Sequence, residues 1–374
     1  MARRLVRFHS GDTTMSKTTP LPAGSVIGIL GGGQLGRMLA AAAARIGYRC
    51  HIFDPAASPP AADVAFAHTQ SPYDDIEALR RFAQSVDVVT YEFENIPAAA
   101  LDAIDALTTI HPGRLALATS QDRLTEKTFL NDLGLETAPF AAVDSVEALK
   151  SALETIGTPA ILKTRTLGYD GKGQVRLSET TDPEGAFLAL EGAPAILEGF
   201  VAFQREVSVI AARGADGSVA CFDPGENVHR DGILHTTTVP ARLSPAQRSD
   251  AILLAARLLN ALEYVGVIGV ELFVTPTALV VNEFAPRVHN SGHWTMNGCA
   301  VDQFEQHIRA ITGWPLGDGV RFADVTMENL IGAEIDKVST LARTPDTALH
   351  LYGKTETRPG RKMGHINKVI RRNT

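Results

Sequence analysis

The sequence predicts an α/β and α+β protein in three parts: an N-terminal doubly wound parallel sheet, a small lid domain and a larger mixed-sheet C-terminal domain. Three observations carry that expectation. Strand-like and helix-like runs alternate with short joints over residues 25–107, the pattern of a parallel sheet. A lysine and a glycine-rich loop follow the apolar run Pro159-Ala160-Ile161-Leu162. Two apolar runs further on each carry one glutamate, Glu271 and Glu283.

Taken in order, the first strand is Ser25 to Leu30, an apolar run ending in glycines. An alanine-rich helix, Met38 to Ile46, stops at Gly47, a residue suited to a helix C-terminus. Strand Arg49 to Phe53, helix Tyr73 to Gln84, strand Val86 to Tyr91 and helix Ile96 to Leu107 continue the alternation. The pattern changes near residue 118, where Ser120 is a suitable N-cap for a charged helix that runs to Leu133 and ends at Gly134. Strand Ala160 to Lys163, strand Val175 to Leu177, helix Pro183 to Leu190 and strand Ala193 to Glu198 make a small α+β unit. Strands then dominate, at 205–213, 218–222 and 233–239. Helix Pro245 to Leu262 precedes strands 265–274 and 278–284, and helix Asp302 to Thr312 ends at Gly313 with Pro315 beyond. The expected division is 24–117, 118–200 and 201–374. Residues 1–23 are basic and hydroxyl-rich, without the apolar core of a secretory signal. They read as a disordered leader, with Met15 as an alternative start.

Composition narrows the function classes. A net charge of −7 argues against nucleic acid or an anionic membrane as the partner. Arg257, Glu263, Glu271 and Glu283 interrupt the most apolar region, so no membrane span is expected. Cys50, Cys221 and Cys299 are scattered without a CxxC pair, which disfavours a disulfide framework or zinc site and fits the cytoplasm.

Gly31-Gly32-Gly33-Gln34-Leu35-Gly36 fits G-x-G-x-x-G after a strand and before a helix, with Asp54 ending the next strand. Alone this points to NAD. A different phosphate- or ribose-bearing ligand, or a tight turn with no ligand, fits the same residues. No second motif signals a hydride acceptor.

The loop from Lys163 to Gln174 holds Gly168, Gly171, Lys172 and Gly173, the makings of a flap over polyphosphate. Its glycines let backbone N–H groups approach phosphate oxygens, and its lysines supply charge. Strands 265–274 and 278–284 flank Thr275-Pro276-Thr277 and read as a hairpin. A three-residue loop pairs 274 with 278 and sets Glu271 opposite Val281, diagonal to Glu283 on the same face. Two neighbouring carboxylates repel unless a cation lies between them. Mg²⁺ suits few carboxylates plus phosphate oxygens. The rival reading has each glutamate facing solvent or pairing with Arg287.

These parts in this order resemble the ATP-grasp enzymes. Gly168-Tyr169-Asp170-Gly171-Lys172-Gly173-Gln174, Ala285-Pro286-Arg287-Val288-His289-Asn290-Ser291-Gly292-His293-Trp294 and Arg358-Pro359-Gly360-Arg361-Lys362-Met363-Gly364-His365 resemble the N5-carboxyaminoimidazole ribonucleotide synthetase family, over residues 24–367. The resemblance implies an ATP-grasp fold and a carbon–nitrogen ligase of purine biosynthesis. ATP phosphorylates bicarbonate to carboxyphosphate, and the amine of 5-aminoimidazole ribonucleotide captures the carbon, releasing ADP and phosphate. It also implies a cytoplasmic homodimer, with Mg²⁺ or in its place Mn²⁺.

By the same resemblance, Arg123, Lys127, Lys163 and the flap residues Gly168, Tyr169, Asp170, Gly171, Lys172, Gly173 and Gln174 hold ATP phosphates. Glu198, Gly199, Phe200 and Val201 form the adenine hinge, and Glu206 takes the ribose, with His229 near the nucleotide. Asn282 joins the ATP site, and Glu271 and Glu283 hold the metal. Arg287, His289 and Asn290 are the catalytic cradle for bicarbonate and carboxyphosphate. The ribonucleotide lies against Gln34, Leu35, Glu94, Tyr169 and Asp170, with Lys354 and Arg361 on its phosphate.

Bland rivals stand beside these roles. Arg123 and Lys127 are spaced as neighbours on a solvated helix face. Glu94 could cap a helix, His229 could be an ordinary loop residue, and Lys354 and Arg361 could be surface charge. The tail Lys368-Val369-Ile370-Arg371-Arg372 does not match the helix and strand with which such enzymes continue, so core surface there is expected to be uncovered. An NAD-linked dehydrogenase, a nucleotide-binding module without turnover and a sister enzyme using formate remain as rival functions.

Overall fold

The computed structural model describes residues 19–168 and 172–371. Its first unit alternates as the sequence predicts. Strand β1 (Val26–Leu30), helix α1 (Gln34–Arg45), β2 (Arg49–Asp54), β3 (Ala67–Gln70), α2 (Ile76–Gln84), β4 (Val88–Tyr91) and α3 (Ala98–Asp105) build a parallel sheet of order β3-β2-β1-β4. Helix α1 starts four residues before the expected Met38, and β3 was not anticipated. Helix α2 starts at Ile76 because Asp75 caps it, accepting the Ala78 N–H at 3.0 Å.

Two helices follow, α4 (Arg114–Ser120) and α5 (Arg123–Asp132). Ser120 is therefore the last residue of α4 and not the N-cap of the charged helix. Asp122 caps α5 instead, accepting from the Leu124 and Thr125 N–H groups at 2.8 and 3.2 Å. The second unit contains β5 (Phe140–Val143), α6 (Val146–Ile156), β6 (Ala160–Thr164), β7 (Gln174–Leu177), α7 (Pro183–Leu188) and β8 (Ala195–Gly199). Its four-stranded sheet has the order β5-β8-β6-β7. Strand β5 and helix α6 were missed from the sequence, although Ser145 is a conventional cap for α6.

The third unit is a nine-stranded sheet. It comprises β9 (Arg205–Arg213), β10 (Val219–Cys221), β11 (Gly225–Arg230), β12 (Ile233–Val239), α8 (Pro245–Ala261), β13 (Gly266–Val274), β14 (Leu279–Ala285), the short α9 (Thr295–Gly298), α10 (Gln303–Thr312), β15 (Ala323–Ile331), the short α11 (Val338–Leu341), β16 (Thr347–Leu351) and β17 (Lys362–Arg371). The strand order is β14-β13-β9-β11-β12-β15-β17-β16, with β10 beside β9. His229 lies on β11, not in a loop. The tail also departs from expectation: Lys368 to Arg371 continue β17, which pairs with β15 on one side and β16 on the other.

One apolar core spans units. Leu39 and Ala43 of α1 and Ile308 and Ile311 of α10 belong to a single buried cluster with Ile210, Val267 and Val325 of the large sheet. Part of the expected leader is bound to it: the Leu21 N–H donates to Thr312 O at 2.9 Å, and Tyr48 Oη donates to Leu21 O at 2.6 Å. Residues 1–18 lie outside the described residues.

Candidate active site

A cleft of about 580 Å³ opens where the three units meet. Gln34, Leu35 and Glu94 line it from the first unit, Lys163, Gly168, Lys172 and Gln174 from the second, and Glu206, His229, Asn282, Arg287, His289 and Asn290 from the third. Arg123 and both metal candidates, Glu271 and Glu283, share the same wall.

The hairpin supplies that pair by a different route from the predicted one. The strands close one residue later than expected, with Val274 opposite Leu279 and Leu272 opposite Val281. That register alone sets Glu283 on the opposite face. A bulge follows: Asn282 is unmatched, and Glu271 then pairs directly with Glu283. The two carboxylates share a face after all, as direct and not diagonal neighbours.

Their electrostatics fit a divalent ion. Burial, then repulsion from Glu283, pushes Glu271 up to about 7. Burial also raises Glu283, but Arg123, donating to its Oε2 at 2.8 Å, overrides this and holds the carboxyl at about 2. Among the described residues no cluster of three or more acidic, histidine or cysteine ligands occurs. Two carboxylates and the Asn282 oxygen leave positions for phosphate oxygens and water, which is how Mg²⁺ prefers to be held. Neither glutamate pairs with Arg287.

Arg287 forms a two-point ion pair with Glu94, at 2.6 and 3.1 Å. Glu94 is thus not a helix cap; burial raises its carboxyl, but the charge and hydrogen bonds of Arg287 outweigh burial and leave its pKa lowered. Burial and Arg287 push His289 down to about 3, so its 3.5 Å approach to Glu271 is not an ion pair. Its Nδ1 receives the Ser291 N–H at 3.4 Å and lies 2.8 Å from Ser291 Oγ, which assigns the ring proton to Nε2, facing the cleft. Gly269 makes room for this ring, since a Cβ there would lie 2.6 Å from His289 Cβ. Gln303 fixes the His289 backbone from both sides, accepting its N–H at 3.0 Å and donating to its C=O at 2.8 Å. Asn290 and Asn329 exchange side-chain hydrogen bonds at 3.0 and 2.8 Å.

Several predicted residues do not reach the cleft wall. Lys127 is fully buried, donating to Asn282 O at 2.7 Å and lying 3.5 Å from Glu198. It is neither solvated nor open to a phosphate. Glu198 also takes Lys163, at 2.9 Å. Gly173, Gly199, Phe200 and Val201 flank the cleft without lining it. Lys354 donates to Lys362 O and Arg361 to Glu356 O, at 2.8 and 2.7 Å, and neither lines the cleft. Tyr169, Asp170 and Gly171 lie outside the described residues.

The G-x-G-x-x-G loop is filled from within. Glu92 takes the Gly33 N–H and, at 2.6 Å, the Gly36 N–H, while Asp54 takes the Gly32 N–H at 2.7 Å. A Cβ on Gly33 would lie 2.5 Å from Glu92 Oε1. The carboxylate of Glu92 therefore stands where a dinucleotide pyrophosphate would bind the helix N-terminus. Sequence reasoning missed Glu92, and it also missed Lys362 and the stacked Phe203 and Phe273 (4.7 Å), all of which line the cleft.

Residues 25–121 match the ribonucleotide synthetase preATP-grasp domain, 128–304 the ATP-grasp domain and 326–373 the phosphoribosylaminoimidazole carboxylase C-terminal domain. The chain is 55% identical to the N5-carboxyaminoimidazole ribonucleotide synthase of Brucella melitensis, covering 95% of this chain and 99% of that protein. It is 42% identical to that of Bacillus subtilis, over 94% and 93%. Among solved structures, N5-carboxyaminoimidazole synthetase from Staphylococcus aureus with ADP superposes with a TM-score of 0.90 at 38% identity, over 94% and 95% of the two chains. The Aspergillus clavatus enzyme with ADP and 5-aminoimidazole ribonucleotide gives 0.86 at 31%, over 93% and 94%.

Proposed function

The chain belongs to the N5-carboxyaminoimidazole ribonucleotide synthase family, and on that premise we propose how its residues carboxylate 5-aminoimidazole ribonucleotide with ATP and bicarbonate. The observation that carries this reading is one wall that joins the facing Glu271 and Glu283 to Arg287, His289 and Asn290. A phosphate-activating site and an oxyanion cradle thereby adjoin, as carboxyphosphate chemistry requires.

Glu271 and Glu283 would hold Mg²⁺ or Mn²⁺, which supplies charge neutralisation for phosphoryl transfer. Ile161, Phe203 and Phe273 give the apolar end of the cleft, suited to adenine beside the backbone of 198–201. Glu206, 2.5 Å from His229, accepts ribose hydroxyls. Arg123 lies on the phosphate path, and Lys163 beside it offsets charge. Arg287, oriented by Glu94, and the Nε2–H of His289 hold bicarbonate and then carboxyphosphate by donated hydrogen bonds. A neutral imidazole donates there without adding a cation that would overbind the anion. Gln34, Leu35 and Glu94 receive the ribonucleotide with the flap residues Tyr169 and Asp170, and Lys362 on the cleft wall, with Lys354 and Arg361 behind it, supplies charge for its phosphate. Carboxyphosphate hydrolyses readily, so loop 164–174 has the task of excluding water.

The three free cysteines and the pathway support a cytoplasmic setting, and family resemblance supports a homodimer. Among the described residues no helix is long and apolar enough to cross a membrane.

The test is ADP release with each substrate omitted in turn. Full turnover needs ATP, bicarbonate and the ribonucleotide together. Release sustained by formate in place of bicarbonate would move the enzyme to the sister activity, and release unaffected by omitting the ribonucleotide would contradict the assignment.

A further inference from the structure

Strand β14 is the edge strand of the large sheet, and beyond a single parallel bridge of Thr137 to Val281, where the Val281 N–H donates to Glu136 O at 2.7 Å, no strand among the described residues runs beside it. Helix α5 covers that edge. Arg123, Glu126 and Lys127 stand at i, i+3 and i+4, on one face. They address three consecutive residues of β14. Lys127 Nζ donates to Asn282 O at 2.7 Å, Arg123 Nη1 donates to Glu283 Oε2 at 2.8 Å, and Glu126 Oε1 accepts the Phe284 N–H at 2.7 Å.

These three residues are the bulge and the two positions after it. Asn282 is the unmatched residue, and Glu283 is the acid that the extra residue turns toward Glu271. Glu126 is 2% exposed and Lys127 0%, and neither lines the large cleft. Burying a carboxyl and an ammonium is costly without partners, so their contacts define what they are there to do. A strand has a side-chain period of two, and loss of the bulge would carry Glu283 to the far face.

We propose that Glu126 and Lys127 are positioning residues that hold the Asn282 bulge and thereby the facing of Glu271 and Glu283. Lys127 thus acts on the metal through the strand and not on the nucleotide through its charge. The inference rests on the assignment of Glu271 and Glu283 as the divalent-ion site. That assignment is tested separately by Mn²⁺ binding to the wild-type enzyme with ADP, measured by electron paramagnetic resonance.

The proposal is tested with Glu126→Met, Lys127→Met and Glu126→Gln. Two dissociation constants are read for each: Mn²⁺ with saturating ADP, and ADP alone in excess chelator. The Met variants are expected to lose about tenfold or more in Mn²⁺ affinity, the scale of losing a residue that orients metal ligands, while metal-free ADP binding changes little. Glu126→Gln keeps a carbonyl acceptor for the Phe284 N–H and is expected to retain Mn²⁺ affinity. Folded Met variants with unchanged Mn²⁺ affinity would overturn the proposal, as would equal losses of both affinities or a Gln variant as impaired as Met. If neither Met variant folds, a role directed at the metal site is likewise refuted in favour of general stability.

Discussion

Glu271 and Glu283 face each other across β13 and β14 because Asn282 is one residue too many in the second strand. The hairpin's own closure would have separated them. A single irregularity converts an ordinary pair of sheet residues into two converging carboxylates, and burial then drives Glu271 to about 7. The pair is unfavourable by itself, which fits the proposal that a cation completes the site.

A buried histidine of the third unit ties it to the first, and this gives a pH dependence. His307 Nδ1 accepts the Val267 N–H at 3.1 Å, and its Nε2 lies 2.8 Å from Thr90 Oγ1. Burial pushes it down to about 3. Between its unfolded value near 6.5 and that folded value, the unfolded chain binds more protons, so stability rises with pH in this window. It is complete above about 6.5 and falls on acidification by up to about 1.4 kcal/mol per pH unit. Urea midpoints should drop between pH 7 and 5, and His307→Gln should show a shallower slope. Parallel slopes would show that His307 does not titrate in unfolding.

Glu198 neutralises two lysines, Lys163 at 2.9 Å and the buried Lys127 at 3.5 Å. Glu198→Gln leaves both ammonium groups facing a neutral amide. The expected cost is about 3 kcal/mol or more, the scale for stranding a buried charge. Urea unfolding without nucleotide measures it, and a change below about 1 kcal/mol would mean the lysines find other partners.

Lys362 lines the cleft, and Lys354 Nζ is bonded to its backbone. Lys362→Met should raise KM for the ribonucleotide about tenfold, the loss of one charge-assisted hydrogen bond, with KM for ATP little changed. An unchanged KM for the ribonucleotide would place that phosphate elsewhere.

Much of this was legible in the sequence, for physical reasons. The first sheet is written in strand–helix alternation, and the glycine loop and the acid-bearing strands are local patterns. What was not legible was long-range. Nothing in the chain marks Asn282 as a bulge, since the turn Thr275-Pro276-Thr277 suggests a closure one residue short of the real one. Glu92 enters the glycine loop from a distant strand end, so the loop reads as a nucleotide site until its internal anion is seen. Strand β17 escaped because it buries polar side chains. His365 and Asn367 are fully buried, with His365 Nδ1 2.9 Å from Tyr352 Oη and Asn367 donating to His293 O at 3.0 Å. Lys127 resembles a phosphate ligand by position, and only the fold turns it inward.

The most direct measurement is ADP formation by Glu283→Gln. The substitution preserves shape and removes one of the two converging charges. Removing a group that stabilises transferred charge costs on the order of a hundredfold or more in kcat. That loss is expected together with weakened Mn²⁺ binding and a circular dichroism spectrum like that of the parent. Parent-like turnover with intact Mn²⁺ binding would rule out a metal held between Glu271 and Glu283.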